Sequence, residues 1–400
     1  MREEITSSIR ARAQDLQQEL VNMRRKLHSH PELGFEETQT AKLICKKLDQ
    51  LGVKYQSGVA GTGIVGVIEG CDSGPTVGLR ADMDALPISE ESRKPYISKI
   101  SGVMHACGHD AHVACLLGAI EVLVELRKSI RGCIKFIFQP AEEIDLGAKA
   151  IIAAGGLKYP KPDAFFALHC NPDIPVGYVG LRSGIVMASI DNIRIEVTGL
   201  GGHGAMPQKC VDSIVAASAL VMNLQTVTSR AIDPLKPVVM TVGTFRAGTA
   251  SNIIAEKAEL TGSIRCLDSE VQQLLPNIIQ NICDKTALTF GADVELDYEN
   301  RVPVLVNSKS MTDIVRRSTL AVLGEDKVLD IAASMGGDDF AFILKEVPGT
   351  YFHLGVGSSE KTRMALHNSQ FDIDESCLSI GAAVLASSAM LALEELQQQG

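Results

Sequence analysis

The chain has 400 residues, 46% of them apolar and 22% charged, with a formal net charge of −10. That length exceeds one small core and predicts two domains, and the composition excludes a disordered chain. The acidic balance argues against nucleic acid as a partner, since phosphate binding needs clustered Lys and Arg. An anionic substrate stays admissible through a local Arg or a metal.

In chain order, Ile5, Ile9, Leu16, Leu20, Met23 and Leu27 share one face and predict an amphipathic helix over 4–28. A second helix is expected over 37–51, stopped by Gly52. The period then changes. Residues 64–68 and 76–79 are β-rich runs, the second leading into Arg80-Ala81-Asp82-Met83-Asp84. A polar loop follows, then Met104-His105-Ala106-Cys107-Gly108-His109-Asp110-Ala111-His112, then a helix over 111–128. The apolar strand 133–138 ends in Gln139-Pro140-Ala141-Glu142-Glu143, a short helix covers 147–154, and strand 163–168 ends in His169. This alternation predicts an α/β domain, with a mostly parallel sheet flanked by helices. Ligands of such sheets bind beyond the carboxyl ends of the strands. Asp82 and Asp84, Glu142 and Glu143, and His169 all fall on that rim.

From about residue 184 the texture changes. Strand 190–197, helix 211–229, strands 238–245 and 253–265, helix 269–288 and strand 292–298 spell β-α-β-β-α-β. That order predicts an inserted ferredoxin-like α+β unit. The expected domains are a catalytic one, 1–183 with 298–400, and an inserted lid or dimerisation domain, 184–297. The last hundred residues return to the first texture, with helices over 311–323 and 374–396, a strand over 350–354 and His367 in a turn.

The first thirty residues carry no apolar h-region, so no secretory signal is expected. Nowhere do 18 apolar residues run together, so no membrane span is expected either. The ten cysteines are scattered and mostly lie in apolar runs, the usage of a reducing compartment, which points to the cytoplasm. Among them, Cys107 has histidines on both sides, at 105 and 109.

The segment from Met104 to His112 packs one thiol, three imidazoles and one carboxylate together. Cys107 and His109, two apart across a glycine, can point at one ion. Taken alone, the pair reads as readily as a structural Cys with a surface His, or as a Cys nucleophile with a His base. A Cys nucleophile has no need of the Glu142-Glu143 pair on the same rim. Adjacent carboxylates point different ways, so one can bind metal while the other faces substrate. The plain alternative is an acidic helix N-terminus. With His169 and His367 also on rim turns, the set favours metal-assisted hydrolysis. Asp82 and Asp84 are either ligands or groups that orient a ligating imidazole; the second is preferred, Asp84 first. His105 and His112 stay open, while His28, His30 and His353 read as solvated or structural.

The stretches Gly78–Pro87, Gly102–His112 and Gln139–Glu143 resemble amidohydrolases of the hippurate hydrolase and indole-acetyl-amino-acid hydrolase type, in the aminoacylase and metallo-carboxypeptidase superfamily. The resemblance runs from about His28 to Asp374. It implies hydrolysis of the amide bond of N-acyl amino acids or amino-acid conjugates, through a metal-bridging water. A carboxypeptidase or dipeptidase on the same scaffold is the alternative. It further implies two divalent ions (Mn, Zn, Co or Ni), one on Cys107, Glu143 and His367 and the other on Cys107, His109 and His169. Glu142 would be the general base, and His203, Asn252 and Arg265 substrate contacts in a homodimer. Two departures bear on pocket shape. Ser369 stands where relatives usually carry Pro, and Ile144-Asp145-Leu146-Gly147 replaces a Gly-rich run. A binder without turnover, or a thiol hydrolase, would be a different class; Glu142 speaks against the first, and indifference to chelators would mark the second.

Overall fold

The computed structural model describes residues 3–399. The chain divides into two compact units, one reaching to Gly184 and resuming over Val306–Ala332 and from Asp339, the other made of Ile185–Leu305 and Ala333–Asp338. The expected boundary at 297 falls short of this division because the last strand of the second unit continues to Val302.

The first unit begins with α1 (Glu3–Asp15), α2 (Gln17–His28) and α3 (Thr38–Gln50). Strands β1 (Lys54–Val59), β2 (Gly63–Glu69) and β3 (Asp72–Asp82) follow, then α4 (His109–Glu125), β4 (Arg131–Gln139), α5 (Gly147–Ala153), β5 (Ala164–Pro175) and β6 (Val179–Leu181). The second unit contributes β7 (Ser189–Thr198), α6 (Ser213–Thr226), β8 (Val238–Ala247), β9 (Lys257–Cys266), α7 (Ser269–Phe290) and β10 (Asp293–Val302). The chain then returns with α8 (Lys309–Leu323), β11 (Val328–Asp330), α9 (Phe340–Glu346), β12 (Gly349–Gly357) and α10 (Cys377–Gln399).

In the first unit the sheet order is β1-β2-β4-β3-β5-β12-β6-β11. Its centre, β4-β3-β5-β12, is parallel, with antiparallel pairs toward both edges. Central strands are rich in apolar residues because both faces are covered, with Arg80 and Lys135 as buried exceptions. Phe136 to Phe138 and Phe165 to Leu168 are all fully buried. Helices α4 and α10 carry the deepest packing. A side chain at Gly381 would approach the Cys115 sulfur to 2.6 Å, so the glycine lets the two helices meet closely. By length and composition α10 resembles a membrane-crossing helix, but 89% of its apolar window is buried inside the protein, as in a core helix.

The second unit has a four-stranded antiparallel sheet ordered β8-β9-β7-β10. Its core joins Ile193, Ile195 and Val197 of β7 to Leu220 and Leu224 of α6 and Leu275 and Ile279 of α7. The order is that of a ferredoxin-like unit. Asp212 and Asp268 cap α6 and α7 by accepting amide N–H bonds in the first turn.

Several elements differ from the sequence expectation. The first helix breaks into α1 and α2 around Leu16, and the strand expected over 253–265 splits into a short Ile253–Ile254 pairing and β9. Strands β1, β6 and β11 were not foreseen. β1 is an exposed edge, and the other two are three residues long, too short to show a period.

Candidate metal centre

Five chain segments of the first unit deliver the polar side chains. β3 ends at Asp82 and leads to Asp84. Cys107 and His109 flank Gly108, whose φ of +87° lets the chain reverse into α4. His109 is therefore the first residue of that helix and not part of the preceding turn. Beyond β4, Ala141 adopts a left-handed φ of +53° just before Glu142 and Glu143. His169 lies within β5. His367 comes from a loop, at φ +64°, with its amide donated to the Ala106 carbonyl at 2.8 Å.

These residues converge. Ligand atoms of Cys107, His109 and His169 all lie within 4.8 Å of one another, as do those of Cys107, Glu143 and His367. Cys107 belongs to both groups. The Cys107 Sγ and His169 Nε2 are 3.4 Å apart. His109 Nε2 stands 3.7 Å from Glu143 Oε1 and 3.8 Å from Glu142 Oε2, and His367 Nε2 is 3.4 Å from Glu143 Oε2. Cys107, His109, His169 and Glu142 are buried, while the His367 side chain is 53% exposed.

Hydrogen bonds set which nitrogen of each ring faces inward. His109 Nδ1 lies 3.0 Å from the Asp84 carbonyl and 3.2 Å from its Oδ1, and His169 Nδ1 lies 2.8 Å from the Cys170 carbonyl. Carbonyl oxygens only accept, so in both rings Nδ1 carries the proton and Nε2 is left as a lone-pair donor. Asp84 also accepts the Glu143 amide at 2.9 Å, which ties the Glu143 turn to the residue that holds the His109 ring. His112 is different. Its Nδ1 meets Asp82 Oδ1 at 2.6 Å and its Nε2 accepts the Cys170 amide at 2.8 Å, so both nitrogens are engaged. His105 is buried, stands outside every such cluster among the described residues, and burial pushes it down to about 4. His28 is buried as well, His353 half-buried and His30 exposed.

The electrostatics favour a cation. Burial, then the carboxylates of Glu143, Glu142 and Asp82, push the Cys107 thiol well above its usual range. Burial lifts Glu143 to about 7, with His109 opposing and Asp84 adding. Burial works against charge on His109, yet Asp82, Asp84 and Glu143 together raise it to about 10. Burial is the first cause for Cys107 and Glu143, while the rise of His109 against its own burial shows how negative the surrounding carboxylates make the cluster. Burial keeps His169 and His367 low, so their nitrogens are ready donors. Among the described residues, His109 Nε2 and Glu143 Oε1 are buried without a hydrogen-bond partner. Such orphaned atoms are costly. Thiolate, imidazole and carboxylate facing one small volume are the donor set of a late transition metal, and the residues fit such ions.

The remaining candidates belong to the second unit. His203 is exposed in a two-residue strand, Gly202–His203, paired with Ile253–Ile254. Its Nδ1 accepts the Ala205 amide at 3.1 Å, which leaves Nε2 as the outward donor. Asn252 is exposed beside it and its carbonyl accepts the Gly204 amide at 2.9 Å. Arg265, half-buried on β9, donates to the Met335 carbonyl at 3.3 Å. What the sequence reading missed is the support of the Glu142 turn. Glu37 reaches the Ala141 amide from 104 residues away, and Asp339 reaches the Ala148 amide at the start of α5 from 191, with no local pattern to announce either.

With this geometry in hand, comparison with known proteins is direct. The model of the Peptidase family M20/M25/M40 matches residues 78–391, and the chain belongs to this family. It is 36% identical over 379 residues to the N-acetylcysteine deacetylase of Bacillus subtilis, covering 94% of this chain and 98% of that protein. It is 38% identical over 385 residues to the IAA-amino acid hydrolase ILR1-like 2 of Arabidopsis thaliana, covering 95% and 87%. Among solved structures, the Bacillus subtilis YXEP protein, described as a dinuclear metal binding peptidase of the M20 family, superposes with a TM-score of 0.84 at 33% identity, covering 95% and 99%. The chain is accordingly a hydrolase of the metal-dependent amidohydrolase and peptidase class.

Proposed function

We propose that the protein hydrolyses the amide bond of N-acyl amino acids or amino-acid conjugates, with Glu142 as general base. The observation that carries this reading is the pair of three-residue groups sharing Cys107, with Glu142 beside them. Cys107, Glu143 and His367 would hold one divalent ion, and Cys107, His109 and His169 a second. Such ions, when bound, supply Lewis acidity for the acyl carbonyl and for water. Thiolate and imidazole suit Zn or another late metal, and the carboxylates also suit Mn.

The residues do the rest. Glu142 takes one proton from the attacking water as its oxygen bonds to the acyl carbon. The same carboxyl then gives the proton to the departing nitrogen as the C–N bond breaks, leaving a carboxylic acid and a free amine. Asp84 keeps His109 in the tautomer that presents Nε2 to the cluster. His203, through its outward Nε2, is assigned to the oxyanion and Arg265 to the free carboxylate of the amino-acid half, as a charge-assisted fork. Asn252 is assigned to the substrate's polar groups.

Two properties accompany this reading. All ten cysteines are free, which fits a reducing cytoplasm. The edge strand β8 exposes Val239 and Phe245, which fits a homodimer formed through the second unit.

The test measures metal content and hydrolysis of N-acyl amino acids and dipeptides, before and after chelation, with Mn, Co and Zn restored singly. Close to two ions per chain and metal-restored cleavage of acyl amino acids are expected. Cleavage of dipeptides alone would move the reading to a peptidase, and full activity without metal would leave Cys107 as a nucleophile.

A further inference from the structure

We propose that Glu37 is a positioning residue for Glu142. The inference rests on the general-base reading above. Glu37 is fully buried, although it carries a carboxylate, and it stands at the N-cap of α3 without capping that helix. An acidic side chain at a helix start ordinarily serves its own first turn. Here Glu32 does so, accepting the Gln39 amide at 2.9 Å and the Thr40 amide at 2.8 Å. The Glu37 carboxylate turns inward instead. It accepts the Ala141 amide at 2.9 Å and the Thr62 hydroxyl at 2.5 Å.

What it holds is an unfavourable conformation. Ala141 has φ +53°, a left-handed setting that a residue with a Cβ adopts rarely. Directing its N–H at Glu37 stabilises that setting, and the chain then closes a tight turn. The Leu146 and Gly147 amides donate to the Ala141 carbonyl at 3.3 and 3.1 Å, and the Asp145 amide donates to the Glu142 carbonyl at 2.7 Å. On the other side, the Glu143 amide is held by Asp84 at 2.9 Å. Glu142 is thus the residue between two amides, each tied to a different buried carboxylate. Release of the Ala141 amide lets φ relax and swings the Glu142 side chain away from His109 and the Cys107 cluster. Asp84 would still hold Glu143, so the loss falls on the base and not on the ligand.

The test compares Glu37→Asp with Glu37→Gln in the full chain, using steady-state turnover of an N-acyl amino acid alongside titration with Co or Zn. Asp keeps the charge but is one methylene too short to reach Ala141. Gln keeps the reach and an acceptor oxygen without the charge. Glu37→Asp is expected to lower kcat by about 10²-fold, the scale of a 1 Å misplacement, with KM and the metal isotherm unchanged. Glu37→Gln is expected to recover most of that loss. Retention by Asp with loss in Gln, full activity in both, or a loss that follows weakened metal binding would each overturn the proposal. The Glu142→Gln background supplies the second arm. There Glu37→Asp should cost no more than about twofold, the ordinary scatter of additivity, and an equal loss in both backgrounds would make Glu37 a general structural residue. Near-full turnover by Glu142→Gln alone would remove the base assignment, and this inference with it.

Discussion

His109 and Asp110 are neighbours in the first turn of α4, both fully buried, and they face opposite surroundings. Asp110 enters a closed network. Its Oδ2 meets Arg24 Nε at 2.8 Å and His28 Nδ1 at 2.7 Å, and its Oδ1 accepts the Ala111 amide at 3.0 Å. His28 continues to Glu90 at 3.2 Å, and Arg24 to Glu375 at 3.3 Å. Burial would raise Asp110, but Arg24 and His28 hold it far below the carboxylate range. His109, one residue earlier, ends in a nitrogen without a hydrogen-bond partner among the described residues, facing carboxylates and a thiol. One network is complete within the protein and so stabilises the fold. The other is complete only when something else supplies positive charge. Buried polar groups are nearly always satisfied, so two orphaned atoms within one cluster of carboxylates, imidazoles and a thiol are the pattern a bound cation would explain.

That contrast can be broken or sharpened by experiment. The largest effect is expected from Glu142→Gln, which should lower kcat by about 10²–10⁴-fold with metal content intact, read from kinetics and metal analysis. On the complete side, Arg24→Met removes the guanidinium from Asp110 and leaves that buried carboxylate only His28 and the Ala111 amide; it should cost about 3–5 kcal/mol, measured as a fall in the urea midpoint. Asp84→Asn should weaken metal binding by roughly 10–100-fold while the fold holds, because it removes the negative charge its side chain presents to the His109 ring and the Glu143 amide together; an unchanged isotherm would deny the Asp84 side chain that role. The smallest effect concerns pH. Burial would raise Glu90, but His28 and Ser92 bring it down to about 2 from 4.5. A depressed carboxylate stabilises above its unfolded pKa and loses that contribution as pH falls through the folded value. Between pH 4.5 and 2 the wild type should therefore lose roughly 1–2 kcal/mol more than Glu90→Gln, after solvent screening of a half-buried group.

Much of the site was legible because its residues sit at strand ends or in one dense segment. Strand β4 is mostly apolar, broken only by Lys135 between Cys133 and Phe138, so the acidic pair after it stood out, and the segment around Cys107 was conspicuous in composition alone. The β-α-β-β-α-β order of the second unit showed in its alternation of periods. What was not legible depends on approach in space. The choice between His109 and His112 turned on Asp84 and Asp82, which the sequence places together but does not aim. β3 reaches back to Asp72 through Gly74 and Pro75, residues that disguise a strand. The left-handed setting of Ala141 has no signature, since alanine is a poor candidate for it. Glu37 reads as an ordinary helix-start acid, and only the presence of Glu32 on the same helix end shows that it is employed elsewhere.

His367 differs from the other candidate ligands in one respect with a kinetic consequence. Its side chain is half open to solvent, and it reaches the cluster from a loop, through a backbone tie to Ala106. His109 and His169, in contrast, are built into a helix and a strand behind buried walls. Two ions in such a cluster would exchange at unequal rates. The one sharing Cys107 and Glu143 with His367 would enter last and leave first, since a single loop movement uncovers it. Partial loading, more than total loss, is then the state a chelator or a metal-poor cell produces. On the proposed assignments, half-metallated enzyme would be a distinct species, separated from the full one by the exposed His367 side chain.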